Sequence, residues 1–264
     1  MLSTVIHAKP RTRGPVLLAA LAAGWFCLAS PAGAADVKVL SAGAFKAVAV
    51  ALAPAFEQRT GHKVVIDNDT AGALVKRIEG GEAFDLVVAP PAAIEALTKA
   101  GKVEATSPTR LAKVAIGVAV KQGAPKPDIS SVAAFKQALL DAKSVAYIDP
   151  AAGGSSGIYL TKLFETMGIT AQIKPKAVLV PGGLVATRVV NGEAELAIHQ
   201  ISEILPVQGA VLVGPIPAEI QNYTVYAGAV SIAPRDAAAA RAFLAELSGA
   251  AARAVLDARG MQTP

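Results

Sequence analysis

The chain has 264 residues, 53% of them hydrophobic and only 17% charged, with a formal net charge of +5. This is too apolar for a disordered chain, and it is long enough to bury a core of one or two domains of roughly 100–150 residues each. A single Cys excludes an intramolecular disulfide framework and any Cys-rich zinc or iron–sulfur site.

In chain order, residues 1–34 read first, as a secretory signal. Lys9, Arg11 and Arg13 precede the apolar run Val16–Ala29, and the small residues Ser30–Ala34 suit cleavage after Ala34 or Ala35. The run is shorter than the roughly 20 residues of a spanning helix, and Gly24, Trp25 and Phe26 before Cys27 do not form a lipobox. Removing this segment takes three of the 25 basic residues and none of the 20 acidic ones, so 22 face 20 and the charge falls to +2. Cys27, Trp25 and His7 go with it. The expected mature protein is therefore periplasmic, nearly neutral and free of thiols. Basic stripes interleaved with aromatics are absent, so no nucleic-acid partner is expected.

Short β-type runs then alternate with helical periodicity. Val37–Ser41 reads as a strand, followed by a helix with Val48, Leu52 and Phe56 on one face that stops at Gly61. Lys63–Asp67 and Asp85–Ala89 read as strands, each followed by a helix, one carrying Leu74 and Ile78 and the other Ile94 and Leu97. Val114–Val120 reads as one uninterrupted strand, and Ser130 or Ser131 caps the helix of Phe135 and Leu139. Ser144–Ile148, Ala177–Val180, Glu195–Gln200, Val211–Gly214 and Tyr223–Ser231 read as strands. Helices are expected after Gly157, after Gly183, and over Ala237–Leu247 and Ala251–Ala258. This order predicts an α/β protein of two lobes, each a mainly parallel sheet flanked by helices. Residues 35–112 with 228–264 are expected in one lobe and 113–227 in the other, with a ligand cleft between them.

Three strand-to-helix junctions place small residues where a helix begins. They hold Gly43 and Ala44, Thr70 and Ala71, and Ser155 and Ser156. Free N–H groups and the helix dipole favour an anion at such places, although Gly, Ser and Thr also serve ordinary turns and caps. Gly183 in the turn after Pro181 could add backbone donors, and Gln200 and Ser202 at a strand end could add side-chain donors. His199 at the same strand end reads as either structural or functional, and Glu203 as either functional or a cap. Arg77 and Arg188 are helix-borne cations that face either the cleft or solvent. Asp67, Asp69 and Asp85 form no metal pattern. No metal, nucleotide or other cofactor fingerprint is present, and Ser155–Ser156 lacks the spacing of a serine-hydrolase elbow.

Taken together, several segments match a known family in order: Val39 to Lys46, Gly61 with Lys63 to Ile66, Thr70 to Leu74, Ile78 with Gly81, Asp85 to Ala89, Ser155 to Tyr159, and Gly192 to Glu195. Across nearly the whole mature chain the sequence resembles the molybdate-binding periplasmic proteins of ABC transporters and their wider relatives. The resemblance implies a type II periplasmic binding-protein fold, a small anionic ligand clamped between lobes, an inner-membrane ABC permease as partner, and a monomer. Molybdate binders of this kind use a Ser in each of the first two loops, where this chain has Ala44 and Ala71, and a late Tyr where it has Gln200. A tetrahedral oxyanion stripped of water needs many close donors. Losing those hydroxyls therefore points to a larger anion such as a di- or tricarboxylate. The branch is also similar to periplasmic aconitate isomerases.

The leading expectation is thus a binding protein that captures a small organic anion for ABC-type uptake. The alternatives are an isomerase of an unsaturated carboxylic acid such as aconitate, and a molybdate- or tungstate-type binder using mostly backbone donors. For the isomerase, His199, Glu203 and Lys46 are candidate bases. No pair among them has a diagnostic spacing, so no catalytic residue is assigned.

Overall fold

The computed structural model describes residues 1–5, 7–8, 36–105 and 108–264. The expected signal segment, residues 1–34, lies outside the described residues apart from positions 1–5 and 7–8. Among the described residues no helix is long and apolar enough to cross a membrane.

The chain enters on β1 (Asp36–Ala42), α1 (Gly43–Thr60), β2 (Lys63–Asp69), α2 (Ala71–Glu79), β3 (Leu86–Ala89) and α3 (Pro91–Lys99). This half follows the sequence reading closely because its periodicities are clean and its stops are glycines. Val37 and Val39 of β1 pack against Phe45, Val48 and Phe56 of α1. Leu40 points to the opposite face, with Leu74 and Ile78 of α2 and Ile94 and Leu97 of α3. The period of two along the strand thus buries both faces of the sheet. Gly61 adopts a left-handed φ of 78° and ends α1, its N–H bonding the Glu57 carbonyl.

The run Val114–Val120, expected as one strand, is two. β4 (Thr109–Val114) lies in the first sheet and β5 (Ile116–Lys121) in the second, and the chain changes sheet at Ala115. Both sides of the crossover are buried, so no polar or turn residue marks the break. The second sheet then takes β6 (Val145–Ile148), β7 (Ala177–Val180), β8 (Leu196–Gln200) and β9 (Ala210–Pro215). Around them lie α4 (Val132–Asp141), α5 (Ser155–Thr166) and the single-turn helices α6 (Thr170–Ile173), α7 (Thr187–Val190) and α8 (Ile201–Ile204). The chain returns to the first sheet through β10 (Thr224–Val230), then α9 (Ala237–Ser248), α10 (Ala250–Ala258) and the short β11 (Met261–Gln262). Phe243, Leu247 and Leu256 of α9 and α10 join the core beneath α1.

The first sheet has the order β11-β4-β10-β3-β1-β2 and the second β7-β6-β8-β5-β9. In the first, β1, β2, β3 and β4 run one way, while β10 and β11 run against them. In the second, only β5 opposes the rest. The expected mainly parallel sheets are therefore mixed, and the reversed strands include β5 and β10, which lead the chain from one sheet to the other. The lobe limits expected at residues 112 and 228 fall inside β4 and β10, so each of these strands lies whole in the first sheet. The carboxyl ends of β1 and β2 in one sheet and of β6 and β8 in the other converge on one place, where α1, α2, α5 and α8 begin.

Candidate functional site

The converging ends enclose a cavity of about 40 Å³. Gly43 and Ala44, Thr70 and Ala71, Ser155 and Ser156, Gly183 and Gln200 all line it, together with Asn68, Asp69, Ile148, His199, Glu203 and Tyr226. Eight of the nine candidate positions are thus brought to one place from five separate loops. Among the described residues, no Lys or Arg lines the cavity. Positive potential there comes from backbone N–H groups at the starts of α1, α2 and α5, which for α1 and α5 carry no side-chain cap.

Two of the expected ligand donors are committed elsewhere. Ser202 does not line the cavity, and its Oγ donates to the Ala44 carbonyl at 3.0 Å, joining α8 to α1. The Thr70 hydroxyl accepts from the Ala73 N–H at 3.1 Å, capping α2, and donates to the Ala152 carbonyl of the other lobe. Its single proton is used, so Thr70 acts as a clasp between lobes. Beside it the Gly72 N–H donates to the Gly153 carbonyl at 3.1 Å. These contacts shut the cavity along one seam. One water needs roughly 10–15 Å³ on this kind of measure, so a ligand much larger than a few waters enters only when the seam parts.

Arg77 and Arg188 also turn out to be structural. Arg77 bonds Glu82 through Nε at 2.6 Å and also pairs with Asp67 and Asp69, while Arg188 pairs with Glu193 at 2.8 Å. Lys46 is exposed on α1 and does not line the cavity, which removes it from the candidate bases.

What remains inside is a polar set without cations, whose ionisable side chains are Asp69, His199, Glu203 and Tyr226. Among the described residues, four buried side-chain atoms have no hydrogen-bond partner in the chain, and two of them, Ser156 Oγ and His199 Nδ1, belong to residues lining this cavity. Unpaired buried polar atoms are costly, so their concentration in one cavity points to a ligand that completes them. A larger hollow of about 930 Å³ lies at the opposite end of the second sheet, between Pro125, Lys143 and Glu195, and none of the four atoms belongs to it. For Ser156→Ala the expectation is an unchanged fold, with stability equal or up to about 1 kcal/mol higher, because an unsatisfied hydroxyl is removed. Ligand affinity should fall roughly tenfold or more, since hydrogen bonds to charged groups carry about 1.5–3 kcal/mol. Thermal melting and titration calorimetry measure the two effects separately, and unchanged affinity would remove Ser156 from the site.

His199 and Glu203 are separate candidates in the sequence. Here His199 Nε2 stands 3.3 Å from Glu203 Oε2, and both residues are buried. Burial holds the His199 imidazole neutral, with its pKa pushed down to about 3, and pushes the Glu203 carboxyl up to about 8. Tyr226 closes the same side, its ring 6.3 Å from that of Phe45. Its hydroxyl is raised well above the usual tyrosine range, by burial first and then by the Glu203 charge. Tyr226 went unnoticed in the sequence because it arrives on β10, far along the chain from the loops it faces. Nothing local distinguishes it from any aromatic in a buried strand.

A family model described as bacterial extracellular solute-binding protein matches residues 37–262. An aconitate isomerase of Pseudomonas sp. is 38% identical over 230 residues, covering 85% of this chain and 86% of that enzyme. Among solved structures, the periplasmic molybdate-binding protein of Azotobacter vinelandii superposes with a TM-score of 0.73 at 21% identity, covering 86% of this chain and 99% of that one. The sulfate-binding protein SubI of Mycobacterium tuberculosis gives 0.69 at 20% identity, covering 87% of each. At these identities the two structures share the fold, a two-lobed type II architecture.

Proposed function

The chain belongs to the bacterial extracellular solute-binding proteins, and from that premise we propose that it is an exported isomerase interconverting cis- and trans-aconitate, or a close unsaturated carboxylate, in the cleft between its lobes. The observation that carries this reading is the buried carboxyl–imidazole pair Glu203–His199 inside a cavity otherwise built of anion-favouring helix starts. A protein that only binds an anion could use a buried acid as a donor while it is protonated, but would repel the ligand once Glu203 ionised. A proton-transfer enzyme needs such a group. Moving the double bond of aconitate requires removing a proton next to a carboxylate, and this calls for a base whose pKa lies near the working pH and donors for the developing charge. The similarity to an enzyme named aconitate isomerase supplies the substrate class. Ala44 and Ala71 leave methyl groups where hydroxyls would serve an oxyanion, which suits a ligand with a carbon skeleton. This reading takes precedence over the carboxylate-uptake reading favoured by the sequence alone.

The test is to incubate the protein, without residues 1–34, with cis-aconitate and follow the trans isomer by proton NMR. Steady conversion to an equilibrium mixture is expected, and unchanged substrate at high protein concentration would overturn the proposal. The family fold favours one second reading, in which the same cavity captures an organic anion and presents it to an ABC permease. Its signature in the same experiment is tight binding, seen by calorimetry, of an aconitate that stays unconverted.

A further inference from the structure

We propose that Glu203 is the catalytic base that carries the migrating proton, with His199 as its positioning residue. This assignment deepens the isomerase reading and rests on it. Glu203 sits at the first turn of α8, beyond the end of β8, and lines the cavity. A β-carbon on Gly43 would lie 2.6 Å from Glu203 Oε1, so the carboxyl reaches the start of α1 only because residue 43 has no side chain. The other carboxylate oxygen faces His199 Nε2 at 3.3 Å. Of the three candidate bases, Lys46 is outside the cavity, and the His199 imidazole, depressed by burial, is a poor proton acceptor. Among the described residues, the titratable groups that line the cavity with Glu203 are His199 on β8, Tyr226 on β10 and Asp69 at the end of β2, and the α1 amides add a partial positive charge.

The reaction then balances with one group. The Glu203 carboxylate takes a proton from the substrate methylene carbon, breaking that C–H bond. The electron pair spreads over the allylic system and onto the flanking carboxylates, which face the amides of α1 and α5. The protonated Glu203 returns a proton to the carbon that was vinylic, forming a new C–H bond. The double bond now lies one carbon over, and its trans geometry is set by how the methylene arm is turned about its single bond when the proton leaves. Nothing is oxidised or reduced. His199 Nε2 holds the carboxyl in place. With Oε2 against Nε2, the other oxygen, Oε1, is left to take and return the proton.

The experiment uses the wild-type protein, Glu203→Gln and His199→Gln with cis-aconitate in heavy water, read by proton NMR. Wild type should form the trans isomer and exchange the methylene and vinyl protons for deuterium. Its kcat/KM should rise with pH towards a plateau above about 8, where burial places the Glu203 carboxyl. Glu203→Gln should lose at least about 100-fold in both conversion and exchange, the usual range for a general base, while still binding trans-aconitate in calorimetry. His199→Gln should move the midpoint of the pH profile, which loss of packing alone would not do. Should Glu203→Gln fail to fold, Glu203→Asp keeps the acid but withdraws it by one methylene and should lose at least about tenfold in kcat. A wild type that binds but converts nothing defeats the isomerase reading and this assignment with it. An active wild type whose Glu203 variants stay within a few-fold of it defeats the assignment alone.

Discussion

Replacing Gly72 by Ala should weaken ligand binding by roughly 5–150-fold while leaving each lobe folded. A β-carbon at residue 72 would lie 2.8 Å from the Gly153 α-carbon of the facing lobe, a backbone atom that cannot swing aside. Gly72 itself has no left-handed φ, so alanine is conformationally acceptable there and the whole effect arises across the seam. Overpacking of this kind costs about 1–3 kcal/mol. The cheapest relief is to part the lobes by the width of a methyl group, breaking the Gly72–Gly153 hydrogen bond and the Thr70–Ala152 clasp. The closed form then becomes a minor population, and apparent affinity falls by the fraction lost. Calorimetry with trans-aconitate and small-angle scattering of the ligand-bound protein report the two consequences. Gly182→Ala is the control at the same seam, because its β-carbon would meet only the Thr70 methyl at an ordinary 3.9 Å. Equal affinity and equal scattering profiles for Gly72→Ala and wild type would show that the seam does not hold the cleft shut.

The seam also marks where sequence reading stops. The helix starts at Gly43, Ala71 and Ser155 were legible because each follows a strand of period two and precedes a helix of period 3.6, and such junctions fall at the carboxyl ends of strands. That these three loops line one cavity, with Gly183 and Gln200 beside them, agrees with the expected two-lobed order. What each hydroxyl does was not legible. Thr70, Ser156 and Ser202 look alike in sequence, yet one clasps the other lobe, one stays unpartnered in the cavity and one ties α8 to α1. The difference depends on which carbonyl lies opposite, and that is set by residues 82 and 158 positions away for Thr70 and Ser202. The pairing of His199 with Glu203 was hidden for a related reason. A spacing of four is meaningful on a helix, but here a strand ends and α8 begins between the two, so the spacing alone said nothing. Ala115 shows the opposite limit. An apolar run gives no sign of where one sheet hands over to the other when both ends are buried.

The second large effect separates stability from the site. Asp85, 1% exposed at the start of β3, accepts the Lys38 N–H at 2.6 Å, the Arg235 N–H at 2.6 Å and the Arg235 guanidinium at 2.7 Å. One carboxylate thereby ties β1 to the segment that leads into α9. Burial alone would raise its pKa, but the bonds from Arg235 and Lys38 outweigh burial and hold it below the usual aspartate value. Asp85→Asn keeps the shape but loses the charge, and its amide presents hydrogens to groups that are themselves donors. Because Arg235 is half exposed, the loss should be less than for a fully buried pair, about 2–4 kcal/mol. For a chain of this size that corresponds to a fall in Tm of roughly 5–15 °C. The depressed pKa fixes the pH dependence. The contribution is fully present above the unfolded value near 3.8 and disappears as pH drops through the lower folded value. Wild type and Asp85→Asn should therefore differ most at neutral pH and converge in strong acid, as melting curves from pH 7 down to pH 2 will show. Asp85 bonds β1 near its amino end, and the carboxyl end of β1 lines the cavity, so the folded variant should bind and convert its ligand as wild type does. A variant with wild-type Tm would mean that the Asp85 network contributes nothing net. A folded variant with lost binding would mean that the two ends of the first sheet are coupled.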